Sequence, residues 1–105
     1  MNNIQIFENQ EFGAIRTMSD EQGKPLFCGK DVARALGYKN PEKALRVHIE
    51  DDDKVVNKMD TTYGIKPTTF INESGLYSLI LSSKLSNKNT LQEKRFKDML
   101  KKMMG

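Results

Sequence analysis

Tryptophan is absent from the 105 residues, cysteine and histidine occur once each, and proline occurs three times. A lone Cys28 excludes an internal disulfide and fits a reducing compartment. The single His48 would have to serve any histidine-based mechanism by itself, and no G-x-S-x-G context surrounds Ser74 or Ser78. No apolar run approaches the roughly 18 residues of a membrane span, and nothing resembles a signal peptide. The acidic run Asp51, Asp52 and Asp53 lacks the alternating ligand positions and the glycine of a calcium loop, so it reads as a solvated turn. Catalytic, cofactor and metal residues are therefore not assigned, and a nuclease or other metal enzyme is disfavoured because no His/Asp/Glu constellation is evident.

A chain of this length forms one domain with one core and little room for an elaborate buried site. Hydrophobic residues make up 37% and charged residues 30%, with a net charge of +3. The distribution of charge says more than its total. Residues 30–49 carry five basic against two acidic side chains, and residues 84–105 carry seven against two, whereas residues 50–60 are acidic. Two basic segments brought together would make the electropositive face that nucleic acid requires.

The stretch Phe27 to Ile49, FCGKDVARALGYKNPEKALRVHI, holds two short helical patterns. Val32, Ala33 and Leu36 give the first an apolar face, with Lys30, Asp31 and Arg34 expected to face water. Gly37 sits where a helix ends in the left-handed conformation, and Tyr38 follows as the residue that folds back over such an end. Asn40 caps a second helix, Pro41 suits its first position, and Ala44, Leu45 and Ile49 form its apolar stripe. The result is a helix-turn-helix-like pair. Lys43 and Arg46, three apart, share a face with Lys39 near its start and His48 further along. Such a face suits a DNA groove, Arg for guanine and Lys for phosphate, although an ordinary solvated helix face has the same pattern.

Before this pair, Ile4, Ile6 and Glu8 alternate with Gln5 and Phe7, and Phe12, Ala14, Arg16 and Met18 continue a period-two run beyond Asn9-Gln10-Glu11, which predicts a β-hairpin. Turn residues at Ser19 to Pro25 lead to a short strand at Leu26 to Cys28, whose thiol reads as packed structure. After the acidic turn, Lys54 to Asp60 and Ile65 to Ile71 form a second hairpin, with Pro67 marking an edge or an interruption. Lys58, Tyr63 and Lys66 place this hairpin near a nucleic-acid backbone if it acts as a wing, although an ordinary solvent-exposed hairpin is the reading its pattern favours. Asn72 caps a buried helix running to Ser83, with Gly75 pointing to a close backbone approach. Ser86 to Asn89 is a turn, and Thr90 and Glu93 have capping-box spacing at the start of a last helix. Its Phe96, Met99, Leu100 and Met103 stripe is either core or an adaptable face for self-association or a partner.

Taken in order, KDVARALGYKNPEKAL at Lys30 to Leu45, the histidine and acidic turn at His48 to Lys54, FINESGLYSLILSSK at Phe70 to Lys84 and RFK at Arg95 to Lys97 resemble the Bro family amino-terminal domain of prophage antirepressors and of Bro proteins in large DNA viruses. The family pattern commonly continues past RFK with a tryptophan and a Leu-Pro step, where this chain reads KDMLKKMMG. The resemblance implies a small single α+β domain over residues 1–105, truncated or separated from a different carboxy-terminal domain. It also implies a non-enzymatic, DNA-binding antirepressor in the bacterial host cytoplasm that influences the lysogenic switch. Lys39, Asn40, Lys43 and Arg46 fall in the segment expected nearest double-stranded DNA, with Lys58 and Lys66 of the second hairpin beside it. Gly37, Tyr38, Gly75 and Tyr77 are expected to support the fold. Two further expectations accompany these: direct capture of a phage repressor as the competing function, and a homodimer through the C-terminal helix.

Overall fold

The α+β architecture expected from the sequence is the one observed. The computed structural model describes residues 4–83 and 90–104. In chain order it comprises β1 (Gln5–Asn9), β2 (Gly13–Ser19), β3 (Pro25–Cys28), α1 (Gly29–Ala35), α2 (Pro41–His48), a 3-10 turn at Asp51–Asp53, β4 (Lys54–Thr61), β5 (Gly64–Ile71), α3 (Glu73–Ser82) and α4 (Thr90–Met104). The turn expected at Ser86 to Asn89 lies outside the described residues, as do the side chains of the capping-box pair Thr90 and Glu93. No helix among the described residues is long and apolar enough to cross a membrane.

The five strands form one antiparallel sheet in the order β1-β2-β3-β5-β4. Successive residues of a strand point to opposite faces, and β3 buries both: Phe27 joins the helix-covered core with Ile15 and Ile71, while Leu26 and Cys28 meet Phe70 on the other side. The main core adds Val32, Leu36, Leu45, Leu76, Leu79 and the α4 stripe Phe96, Met99, Leu100 and Met103. That stripe is therefore buried within the domain's own core, so it does not offer the dimer surface considered from the sequence.

The first hairpin corrects the expected facing of β2. Ile15 and Thr17 are buried, whereas Ala14 is exposed and Arg16 and Met18 are only partly covered. The reason is the turn: Asn9 Oδ1 accepts from the backbone N–H groups of Glu11 and Phe12, and Phe12 leaves the strand to meet Phe96 edge-on at 5.0 Å. Phe12 is thus a turn residue packed on α4 rather than the start of a strand face.

Local capping chemistry fixes the helical pair. Gly37 adopts φ +87, and the N–H groups of Gly37 and Tyr38 donate to the carbonyls of Arg34 and Ala33, the double bond of a Schellman ending. Tyr38 folds back, donating its hydroxyl to the Leu79 carbonyl at 2.8 Å and so tying the turn to α3. Asn40 Oδ1 accepts from the Lys43 N–H at 3.1 Å, opening α2, and Asn72 caps α3 in the same way through Gly75.

The second hairpin is an arm. β4 and β5 pair along their whole length, from Lys54↔Ile71 to Thr61↔Gly64, but β5 pairs with β3 only at Phe70 and Ile71. Gly64, at φ +106, closes the turn at Thr62 and Tyr63. Pro67 lies opposite Lys58 where, among the described residues, β5 has no second neighbour, so its missing N–H breaks no ladder there.

Candidate nucleic-acid interface

Between the α1–α2 pair and the root of the β4–β5 arm runs an open trough of about 530 Å³. The basic residues Arg16, Lys30, Arg34, Arg46, Lys54 and Lys66 line it, and Glu42 is the sole acidic residue among the lining side chains. Leu45, Val56, Pro67, Thr68 and Thr69 complete it. The six cations arrive from four parts of the fold: Arg16 from β2, Lys30 and Arg34 one turn apart on α1, Arg46 from α2, and Lys54 and Lys66 from the arm.

Carboxylates set behind or beside these cations hold most of them in place. Asp31, a buried residue, accepts from the Arg16 N–H at 3.0 Å, from Arg16 Nε at 2.8 Å and from Arg16 Nη2 at 3.1 Å. Arg34 Nη1 reaches the same carboxylate at 3.5 Å. The expectation that Asp31 faces water is overturned: it fills the gap at the edge of β2 beyond β3, where the backbone N–H of Arg16 needs an acceptor. Lys30 Nζ meets Glu42 Oε1 at 2.8 Å, and Lys54 Nζ meets Asp51 at 3.4 Å. The Lys30 hydrogen bond and charge, with Arg46 nearby, hold the Glu42 carboxyl below its ordinary value. Arg16 Nη2 also lies 3.2 Å from Cys28 Sγ. Burial pushes this thiol up despite that arginine, and Cys28 is fully buried, the packed structural thiol expected from the sequence.

Of the residues singled out in the sequence, Arg46 and Lys66 line the trough. Lys66 also holds its ammonium 5.2 Å from the Tyr63 ring centroid. Lys39, Lys43 and Lys58 are exposed but lie outside the lining residues, and Asn40 uses its side-chain oxygen as the α2 cap. Sequence reasoning missed Arg16, Lys30, Arg34 and Lys54 as trough residues. The i, i+4 spacing of Lys30 and Arg34 was a usable signal, but the convergence of Arg16 and Lys54 on them depends on tertiary pairing.

Among the described residues, no group of three or more His, Cys, Asp or Glu side chains could hold a metal ion. What the trough offers is a row of cations, most of them held by carboxylates, and hydroxyls suited to a polyanion. The sequence matches the BRO family, N-terminal domain, over residues 14–102. The chain belongs to this family. Bro-N domains are generally the DNA-binding amino-terminal domains of viral and phage Bro proteins. A Bro-N domain-containing protein of invertebrate iridescent virus 6 is 39% identical over 56% of this chain and 18% of its own length. A Haemophilus influenzae protein is 39% identical over 67% of this chain and 35% of its own. A Bro-N domain-containing protein of Autographa californica nuclear polyhedrosis virus is 32% identical over 75% and 29%. The chain thus covers between 18% and 39% of the length of the curated relatives it matches. No solved structure matches it significantly.

Proposed function

We propose that this Bro-N domain binds double-stranded DNA by seating one phosphodiester backbone in the trough, as the DNA-binding part of a phage-derived antirepressor that acts on prophage gene expression in the host cytoplasm. The observation that carries this reading is the convergence of six cations from four parts of the fold on one concave surface. A duplex backbone is a convex ridge with one negative charge per phosphate, and the cations preset by carboxylates, Arg16, Lys30, Arg34 and Lys54, lose little side-chain freedom on meeting it. Arg46 and Lys66 contact phosphate inside the trough. Lys39 and Lys43 extend the contact along α2, Lys58 does so along the arm, and Asn40 presents the helix start.

The test is affinity for a mixed-sequence duplex. Arg46→Ala/Lys66→Ala is expected to bind at least tenfold more weakly than wild type at moderate salt, while Lys24→Ala, in the turn before β3, binds as wild type does. Equal affinity of all three proteins would remove the trough from DNA binding. Direct capture of a phage repressor, the competing function, would then be sought by titrating that protein instead.

A further inference from the structure

Four apolar side chains on the β4–β5 arm stand in solvent: Val55 is 49% exposed, Val56 66%, Tyr63 86% and Ile65 68%. They are not needed by either core cluster, since β5 contributes only Phe70 and Ile71 to those. At about 3.3 Å per residue, the eight-residue strands carry the tip about 26 Å from the root, and residues 64–69 have no strand partner but β4 among the described residues. Lys58 and Lys66 flank these apolar residues, with Lys66 lying beside the Tyr63 ring. A ribbon of this kind suits one occupant by charge and shape. A duplex groove admits a two-stranded β-ribbon, its rims are anionic and its floor presents base edges and thymine methyls to apolar groups. With the trough as the phosphate seat, a reading on which this inference depends, the arm is the trough wall that continues into the adjoining groove. The opposite wall, α2, presents Glu42 and Arg46 to the trough and stays at the backbone.

We propose that the β4–β5 arm, rather than α2, is the element that enters the DNA groove, with Tyr63 and Ile65 at its tip making apolar contact with the bases. The Tyr63 ring supplies its own readout, because the chain has three tyrosines and no tryptophan. Wild type, Tyr63→Phe, Tyr63→Ala/Ile65→Ser and Arg46→Ala/Lys66→Ala are titrated against one mixed-sequence duplex over a range of salt, and each is used to select from a pool of randomised duplexes. Duplex binding should quench wild-type tyrosine emission and leave that of Tyr63→Phe unchanged, while Tyr63→Phe keeps wild-type affinity. The Tyr63→Ala/Ile65→Ser protein should bind roughly tenfold more weakly with an unaltered salt slope and enrich no sequence. The Arg46→Ala/Lys66→Ala protein should lose slope instead. Equal quenching in wild type and Tyr63→Phe, or wild-type affinity and selection by the tip variant, overturns the arm as groove reader and leaves the trough reading standing. Failure of wild type to bind duplex at low salt overturns both, and binding of a phage repressor that the tip variant abolishes would reassign the arm to a protein partner.

Discussion

Asp31 shows how one side chain can set the basic lining of a trough from behind it. It is buried, and its carboxylate receives the Arg16 backbone and guanidinium together with Arg34. Removing one member of such a pair leaves the other partly desolvated without its counter-charge, which costs more than the intact pair contributes. Asp31→Ala is therefore expected to lower unfolding free energy by about 2–4 kcal/mol, read as a shift in urea midpoint at constant m-value. Asp31→Asn, which keeps the shape and an acceptor, should lose less. A change under about 0.5 kcal/mol in the alanine variant would mean that the Arg16 contact is not a structural tie. The sequence did not reveal this role, because an Asp between Lys30 and Arg34 on a short helix has the local signature of a solvated charge. Its partner lies 15 residues away on a strand whose facing was itself misread. Arg46 was legible, because its distance from Lys43 on a helix is a local matter.

Where an element's ends are fixed by neighbouring residues, the sequence could be read nearly to the residue. Gly37 and Tyr38 close α1, Asn40 and Pro41 open α2, and Asn72 opens α3, each through bonds spanning five residues or fewer. Gly75 was expected to mark a close approach, and a Cβ there would lie 3.2 Å from Ile71 Cβ, 3.3 Å from Ile49 Cγ2 and 3.4 Å from the Asp53 carbonyl oxygen. Alanine gains about 1 kcal/mol of helix propensity over glycine, but crowding against a strand and a backbone costs about 1–3 kcal/mol. Gly75→Ala should therefore be destabilising by about 1 kcal/mol, and a raised thermal midpoint would show that β5 and the acidic turn yield freely. The last helix, α4, is clasped to the first hairpin by Arg95, whose Nε and Nη2 donate to the Glu11 carboxylate at 2.6 and 2.8 Å. Those bonds hold the Glu11 pKa below its ordinary value. A group depressed in the folded state stabilises above its unfolded pKa and loses that contribution as pH falls through its folded one. Wild type should accordingly melt above Glu11→Gln at neutral pH, and the difference should fade as pH falls below the ordinary carboxylate pKa and vanish below the depressed value of the folded state. A difference that persists there would assign it to packing rather than to the clasp.

At the scale of the whole molecule, the basic segments recognised in the sequence do not simply merge into one face. The trough draws Lys30, Arg34 and Arg46 from the first of them, and Arg16, Lys54 and Lys66 come from stretches that are neutral or acidic in total. Net charge along the chain could not reveal this, because antiparallel pairing of β4 with β5 and the packing of α1 beside β2 bring together residues that composition keeps apart. The core likewise takes up the methionine stripe of α4, so two-fold association on DNA, with the half-site spacing it would impose, would have to use another surface. The most direct measurement is the salt dependence of duplex affinity for the wild-type domain and for Arg46→Ala/Lys66→Ala. Seating of a backbone in the trough predicts a linear fall of log affinity with log salt, with a slope for wild type of about −3 to −5 that becomes shallower by about 2 in the variant. A slope near zero, or one that both proteins share, would contradict the trough as the site where this domain meets DNA.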